Sequence, residues 1–361
     1  MIGPTLGRYL SLRFTKTILA VFGTIFLLIY LIDFVEMLRR SGDIPGVTTA
    51  YVALLTLMRV PSVSEQVLPF ATLGGAMVAF LGLTRKLELV VARAAGVSVW
   101  QFLAPPVMIV LLLGIFSITV YNPVSAHLKQ RADLIETKWF GQAGRSGSDP
   151  GLWIRQRSVD GQAIIRAEQS SAKGTQLGSV TAFVYDLDGR FKERIEAATA
   201  TLAPGFWTLD DARIFTADHE PRPNPHYLLS TNLTPEQVTQ SFVSPDAVPF
   251  WSLLDLSRRT EAAGLDATAY RLRFQALLAR PLLLVAMVLI AAAFSLRFFR
   301  FGGISKMVSG GVGAGFVLYV ATKVVSDLGG AGLLSAPVAA WSPALVGSML
   351  GALVLLHQED G

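Results

Sequence analysis

The chain contains 361 residues, of which 52% are hydrophobic and 16% are charged. Soluble domains carry about 25% charged residues, so this composition excludes an ordinary soluble protein. Most basic residues lie beside long apolar runs, so we interpret the net charge of +5 as a topology signal rather than as a nucleic-acid-binding surface. Cysteine is absent, which excludes disulfides and thiol chemistry.

Long apolar runs occur at both ends of the chain, and each approaches the length of about 20 residues that a helix needs to cross a bilayer. We predict six transmembrane helices over residues 17–35, 67–83, 100–121, 276–296, 306–326 and 338–356. Pro61 precedes the second run and Pro69 lies inside it. We expect these prolines to bend or restart the second helix.

Basic residues flank the spans unequally, which predicts the orientation of the chain. If the N-terminus is cytosolic, the outer loops beside the spans hold only Arg39 and Arg40. The inner segments then hold Arg8, Arg13, Lys16, Arg85, Lys86, Arg93, Arg297, Arg300 and Lys306. This bias predicts cytosolic termini, cytosolic segments at 84–98 and 297–305, and an outer position for the long segment between spans three and four.

The long segment, residues 122–265, is polar enough to form a folded domain, and its alternating pattern predicts strands. The predicted strands are 152–157, 162–168, 179–186, 190–202 and 206–215. Asp188-Gly189 is typical of a hairpin turn, and the proline-rich stretch 221–225 predicts a loop. We expect a β-sandwich or jelly roll, followed by an amphipathic helix over 250–263.

The predicted fold is therefore a polytopic α-helical membrane protein with six transmembrane helices and an inserted all-β, jelly-roll-like domain. Its predicted parts are a first membrane half, 1–121, an outer β domain, 122–265, and a second membrane half, 266–361.

The connection between spans two and three has the pattern of a short helix. Residues 84–95 lack Gly and Pro, and Gly96 supplies a stop. Thr84, Glu88 and Ala92 are spaced four residues apart, on one side of a helix. An apolar stripe is formed by Leu87, Val90, Val91 and Ala94. Such a helix, with one displayed carboxylate, suits docking into another protein; a plain connector between two spans is the alternative.

Charged residues at the outer end of the first span indicate a second candidate site, because charge beside a span is costly. Asp33, Glu36 and Arg40 share a helix face, and Glu36 and Arg40 form an i,i+4 pair. One interpretation is local charge neutralisation. The other is a site for an anionic amphiphile, in which cations receive phosphates above an apolar wall. The candidate residues are Phe26, Leu27, Tyr30, Asp33, Glu36, Arg39, Arg40 and Arg131.

Other charged residues beside the spans have simpler interpretations. Arg59 and Glu65 flank Pro61, where they either line the same cavity as the anionic-amphiphile site or snorkel to the interface. Lys323 and Asp327 are spaced as a structural pair. The chain has no G-x-x-x-x-G-K-[ST] segment, so we do not expect it to hydrolyse nucleotide through a P-loop.

Three motifs resemble the LptF/LptG family of lipopolysaccharide export permeases. Residues 87–98, LELVVARAAGVS, resemble the coupling helix that inserts into the cytosolic ATPase LptB in that family. Residues 33–40, DFVEMLRR, resemble the exit of its first span, and 232–236, NLTPE, resemble a motif late in its periplasmic domain. The sequence of residues 87–98 is more similar to the LptG branch than to LptF.

The resemblance implies a permease subunit of an ABC-type exporter, which extracts lipopolysaccharide from the inner membrane and passes it to a periplasmic bridge. The implied partners are an LptF-like permease, an LptB-like ATPase dimer, an LptC-like anchored protein and an LptA-like bridge. ATP and Mg would be used by the ATPase, and this chain would bind no cofactor. The implied location is the inner membrane of a Gram-negative bacterium.

The resemblance also implies two sets of site residues. The ATPase-coupling set is Thr84, Arg85, Leu87, Glu88, Val91, Ala92, Arg93 and Gly96. The lipopolysaccharide set is Phe26, Tyr30, Asp33, Glu36, Arg39, Arg40 and Arg131. Asp33 departs from the Escherichia-type pattern, in which a lysine stands at that position.

Two rival functions fit the residues. One is a membrane-anchored sensor or assembly factor whose outer β domain binds a ligand. The other is a stand-alone secondary transporter. A permease half is expected to copurify with an ATPase, whereas neither rival is.

Overall fold

The computed structural model describes residues 4–42, 47–140, 152–158, 161–171, 174–186, 188–216, 219–232, 244–262, 266–299 and 304–360. The chain forms two compact units. The first consists of Met1–Glu136, Asp246–Leu253 and Thr268–Gly361, and the second of Thr137–Pro245 and Leu254–Ala267.

The helices follow the predicted apolar runs. In chain order they are α1 (Pro4–Ser41), α2 (Thr49–Arg85), α3 (Glu88–Ala94), α4 (Val99–Phe116), α5 (Asn122–Phe140), α6 (Phe250–Ala262), α7 (Thr268–Phe299), α8 (Ile304–Gly330) and α9 (Ala336–Asp360). A π-helical turn, Ser117–Tyr121, makes α4 and α5 continuous. In the described residues six helices, with this continuous pair counted once, are long and apolar enough to cross a membrane, which confirms the predicted number.

The second of these helices corrects one expectation. Pro61 and Pro69 do not restart it, because α2 runs unbroken from Thr49 to Arg85. Each interrupted backbone hydrogen bond is costly in an apolar surrounding. The chain therefore keeps the helix and loses only the bonds that proline cannot donate.

Small residues let the membrane helices approach closely. A Cβ added at Gly75 of α2 would lie 2.5 Å from the Cα of Ile18 of α1. Nearby, Phe14 and Phe80 join the same two helices edge to face, with ring centroids 4.9 Å apart. The N-terminal half of α1 is therefore packed tightly against α2.

The second unit contains one antiparallel sheet of six strands, in the order β1-β2-β3-β4-β5-β6. The strands are β1 (Leu152–Ser158), β2 (Gly161–Ser171), β3 (Gln176–Tyr185), β4 (Phe191–Ala203), β5 (Phe206–Thr216) and β6 (His219–Ser230). Trp207 is fully buried among the alternating apolar residues of one face. The inserted all-β character is confirmed, and neighbouring strands are also neighbours in sequence.

The β3–β4 connection is the hairpin that Asp188-Gly189 predicts. Gly189 has φ +78°, and its N–H donates to Asp186 O at 3.1 Å. By contrast, the prediction of a loop at 221–225 is wrong. These residues belong to β6, where Arg222 pairs with Ile214 and Pro223 with Arg213. Among the described strands β6 lies at the edge of the sheet and pairs only with β5, so it tolerates residues that lack an N–H.

The remaining sequence predictions for this region have mixed outcomes. Helix α6 lies where the amphipathic pattern places it. The motif at 232–236 falls outside the described residues from position 233 onward.

Candidate functional site

The helix in the connection between the second and third membrane helices is shorter than the sequence predicts. Helix α2 continues through Thr84 and ends at Arg85, and α3 begins at Glu88. Between them Leu87 has φ 58° and ψ 10°, a left-handed conformation that side chains rarely adopt. The chain needs this reversal to turn from α2 into α3. Thr84 therefore does not share a helix with Glu88 and Ala92, contrary to the prediction.

The other end of α3 confirms the predicted stop. Gly96 has φ +82°, its N–H donates to Arg93 O at 2.9 Å, and the N–H of Val97 donates to Ala92 O at 3.1 Å. This pair of bonds satisfies carbonyls at the helix end. Ser98 and Gln101 then cap α4 reciprocally. The whole connection has a defined backbone geometry, which a plain flexible connector does not need.

Helix α3 exposes most of its apolar side chains. Leu89 is only 5% exposed and packs into the core of the first unit. Val91 is 67% exposed, and Leu87 and Val90 also face outward. Arg85 and Arg93 are exposed beside them, whereas Ala92 is half-buried. Apolar groups presented between cations form a surface suited to contact with another protein.

Glu88 is not the displayed carboxylate that the spacing predicts. Its Oε2 accepts a hydrogen bond from Tyr9 Oη at 2.9 Å, and Arg13 Nη1 donates to both of its oxygens at 3.2 Å. Tyr9 and Arg13 lie on α1, four residues apart, and Arg13 also donates to the tyrosine hydroxyl. The sequence shows the spacing of these two residues but not their partner, which lies 75 residues from Arg13.

A second polar cluster joins three helices near the C-terminal end of α1. Arg59 Nη1 of α2 donates to Glu136 Oε2 of α5 at 3.0 Å, and its Nη2 lies 3.6 Å from Asp33 Oδ1 of α1. One cation thus stands between two carboxylates. Asp33 Oδ2 is buried without a hydrogen-bond partner among the described residues. The sequence indicates Asp33 and Arg59 separately and does not indicate Glu136.

The next turn of α1 carries exposed ion pairs. Glu36 contacts Arg39 at 2.9 Å and Arg40 at 2.8 Å. This geometry is the local neutralisation that the spacing allows. The side chain of Arg39 is 78% exposed, so most of its N–H groups still face outward. Exposed pairs of this kind are weak because water competes for both partners, so an incoming anion can exchange with the carboxylate.

The other predicted lipid-site residues lie apart from these charges. Phe26 and Tyr30 are half-buried on α1. Tyr30 stacks on Phe34 with ring centroids 6.0 Å apart, and Phe26 contacts Phe22 at 6.4 Å. Arg131 is exposed on α5. Among the described residues, no hydrogen bond or ion pair joins Arg131 to α1.

A third cluster is buried inside the helix bundle and is centred on Glu65, which is 1% exposed. Arg280 of α7 forms an ion pair with its Oε1. Asn122 Nδ2 donates to the carboxylate at 3.1 Å, and Ser125 Oγ donates at 3.0 Å. The prediction that Glu65 snorkels or lines the same cavity as the lipid-site residues is therefore wrong. Hydrogen-bond and ion-pair partners on α5 and α7 let the carboxylate stay buried.

The network around Glu65 extends to the start of α6. Arg273 of α7 lies 3.7 Å from Glu65 and 3.1 Å from Asp246. Asn122 Oδ1 accepts a hydrogen bond from the Phe250 N–H at 2.9 Å. The sequence signal for this cluster is an arginine within an apolar span, and we did not interpret it.

Within the described ranges, no group of three or more His, Asp or Glu side chains is arranged to hold a metal ion. The three clusters are instead hydrogen-bonded joints between helices, and α3 is the exposed element. This arrangement can hold α3 in a fixed position against α1 and expose its apolar side chains.

Comparison with known proteins finds a matching family model and similar proteins. The family model described as "Lipopolysaccharide export system permease LptF/LptG" matches residues 8–357. The LptG proteins named "Lipopolysaccharide export system permease protein LptG" include one from Escherichia coli (strain K12), 26% identical over 339 residues, or 90% of each chain. The one from Haemophilus influenzae is 22% identical over 363 residues, or 98% of this chain and 96% of the relative.

The matched residues include α3, the inserted sheet and nearly the whole of all six membrane helices. The resemblance that residues 87–98 indicate is thereby confirmed, and six apolar helices in such a permease make this a multi-pass inner-membrane protein. The chain belongs to the LptF/LptG family of lipopolysaccharide export permeases.

Proposed function

We propose that this chain is the LptG-like permease subunit of an ATP-driven exporter, which extracts lipopolysaccharide from the inner membrane and passes it to a periplasmic bridge. The names of its LptG relatives support this substrate. The observation that carries the proposal is α3, a helix with fixed ends that exposes apolar side chains between two membrane helices. A transporter that lacks its own P-loop needs such an element to receive movement from an ATPase.

The proposed partner at α3 is an LptB-like ATPase dimer, which would use ATP and Mg. Leu87, Val90 and Val91 would enter an apolar groove of the ATPase, and the exposed Arg85 and Arg93 would meet acidic groups at its rim. An LptF-like permease would form the other half of the complex. An LptC-like anchored protein and an LptA-like bridge would receive the lipid.

The proposed orientation places both termini and α3 in the cytosol and the six-stranded sheet in the periplasm. It is supported by the excess of Lys and Arg at the α2–α4 connection and at the N-terminus. In this orientation the C-terminal end of α1 lies at the outer surface of the inner membrane.

The proposed lipid contact is that outer end of α1. Arg39 and Arg40 would bind lipid phosphates, because their pairs with Glu36 are exposed and easily exchanged. Leu27 and Ile32 are exposed on the same helix and would contact acyl chains. Arg59 would contribute less, because Asp33 and Glu136 already engage it.

The test compares two exposed leucines that lie in connections at opposite ends of the six-span bundle. Leu87→Asp places a charge on the proposed docking surface, and Asp tolerates the left-handed conformation at this position. Leu333→Asp places the same charge in the α8–α9 connection. We expect Leu87→Asp to lose copurification with the ATPase from native membranes and Leu333→Asp to retain it, as measured by mass spectrometry of the purified complex.

Two results would contradict the proposal. If the wild-type chain copurifies with no ATPase and no lipopolysaccharide, a sensor or assembly factor becomes the better explanation. If Leu87→Asp retains the ATPase as well as Leu333→Asp does, α3 is not the docking element.

A further inference from the structure

Arg13 occupies a junction between three helices. Its guanidinium lies between Glu88 of α3 and Gly82 of α2, while its backbone belongs to α1. Nη1 donates to both oxygens of Glu88 at 3.2 Å. A Cβ added at Gly82 would lie 2.6 Å from Arg13 Nη2, so the glycine provides the space that the guanidinium occupies.

The junction is partly shielded from solvent, which makes its charge pair stronger than an open surface pair. The Arg13 side chain is 18% exposed. Tyr9 adds a hydrogen bond to Glu88 at 2.9 Å from one turn earlier on α1, and its ring lies under the guanidinium at 5.7 Å. Two residues of α1 therefore hold the first residue of α3.

Helix α1 is built to carry a displacement away from this junction. It is continuous from Pro4 to Ser41. It packs closely against α2 at Ile18 and Gly75, roughly 7.5 Å along the axis from Arg13 at 1.5 Å per residue. Asp33, which faces Arg59, lies roughly 22 Å beyond Ile18 on the other side. A tilt about Ile18 therefore moves Asp33 about three times as far as Arg13, in the opposite direction.

We propose that Arg13 is a positioning residue for ATP-driven export: it links α3 to the first membrane helix, so that a displacement of α3 tilts α1 and shifts its lipid-facing outer end. This inference rests on the proposed function and names the route within this chain. In this role Glu88 is the internal link, because Arg13 and Tyr9 engage its oxygens.

The experiment uses the complex of the full-length chain with its copurified ATPase and partner permease, reconstituted in lipopolysaccharide-containing proteoliposomes. Arg13→Glu reverses the charge in the junction. Arg8→Glu is the matched control, because it makes the same charge change on an exposed position of α1. Gly82→Ala displaces the guanidinium while keeping every charge, and alanine favours the helix. Arg13→Lys keeps the charge but cannot contact both oxygens and Tyr9 together.

We expect all four variants to retain the ATPase and to hydrolyse ATP. The amount of lipopolysaccharide released per ATP should fall at least about fivefold in Arg13→Glu, less in Gly82→Ala and Arg13→Lys, and not in Arg8→Glu. A structural role alone would lower hydrolysis and release together and would leave their ratio unchanged.

Three results would overturn the inference while leaving the proposed function intact. One is a release ratio in Arg13→Glu equal to that of Arg8→Glu. Another is an unchanged ratio in Gly82→Ala if Arg13→Glu does not assemble. The last is loss of ATPase copurification in Arg13→Lys, which keeps the charge, because that result would assign Arg13 to the docking surface. A wild-type complex without ATPase or release would instead refute the proposed function itself.

Discussion

Glu65 of α2 and Arg280 of α7 form a buried ion pair although 215 residues separate them along the chain. The pair joins the membrane half before the sheet to the half after it. Asn122 and Ser125 complete the hydrogen bonding of the carboxylate. Charges of this kind stabilise a fold only when each has its partner, so the pair makes the two halves depend on each other.

The first prediction concerns this pair. Glu65→Gln leaves the Arg280 guanidinium buried without its counter-charge, and breaking such a pair costs about 3–5 kcal/mol. We expect a clear fall in the unfolding temperature of the detergent-solubilised protein. The control is Asp327→Asn, which removes an exposed partner of Lys323 and should change stability by less than about 1 kcal/mol. Equal unfolding temperatures for Glu65→Gln and the wild type would show that the pair contributes no net stability.

The second prediction concerns orientation. The chain has no cysteine, so single cysteines can be introduced without background labelling. Ala95 follows α3 and Asp188 lies in the β3–β4 turn, and both are exposed. In intact spheroplasts an impermeant maleimide should label Asp188→Cys and not Ala95→Cys, because the basic residues near α3 favour the cytosol. After lysis both should label. The opposite pattern before lysis would reverse the proposed topology.

The third prediction concerns lipid phosphates. The double change Arg39→Glu and Arg40→Glu should reduce photo-crosslinking of lipopolysaccharide from a photoreactive residue at Ile32, which is exposed on α1. Each charge-assisted hydrogen bond contributes about 1.5–3 kcal/mol, so we expect a fall of about tenfold or more. Lys323→Glu changes an exposed cation at the end of α8 and serves as the control. Crosslinking equal to that of the control would leave the two arginines as ordinary interfacial charges.

The fourth prediction concerns Asp33. This carboxylate shares Arg59 with Glu136, and its Oδ2 is buried without a hydrogen-bond partner among the described residues. Asp33→Asn should therefore free part of the Arg59 guanidinium for an anionic lipid and raise crosslinking from Ile32 severalfold. The control is Asp133→Asn, which removes a carboxylate from an i,i+4 pair on α5. If crosslinking falls instead, Asp33 itself contacts a donor group of the lipid.

Several features of this protein follow from short stretches of its sequence. Hydropathy over about 20 residues is enough to predict a membrane helix, because the bilayer core has a defined thickness. The hairpin at Asp188-Gly189 and the helix stop at Gly96 depend on the left-handed conformation that glycine adopts without strain. The motifs at 33–40, 87–98 and 232–236 were sufficient to indicate the family that the match over residues 8–357 then showed.

The proline-rich stretch shows where local patterns mislead. Residues 221–225 have the composition of a loop, yet they form part of β6. The deciding factor is the position of the strand at the edge of the sheet, where a missing N–H leaves no partner unsatisfied. That position is a property of the assembled sheet and not of the five residues.

Only the tertiary structure decided which charges are shared, and therefore what the candidate sites present. Sequence spacing placed Glu88 on a helix face, but Arg13 and Tyr9 of α1 engage it. It placed Glu65 beside a proline, but Arg280 and Asn122 keep it inside the bundle. Helical period and hydropathy are local quantities, whereas a buried charge is stabilised by whichever distant helix brings its partner within a few ångströms.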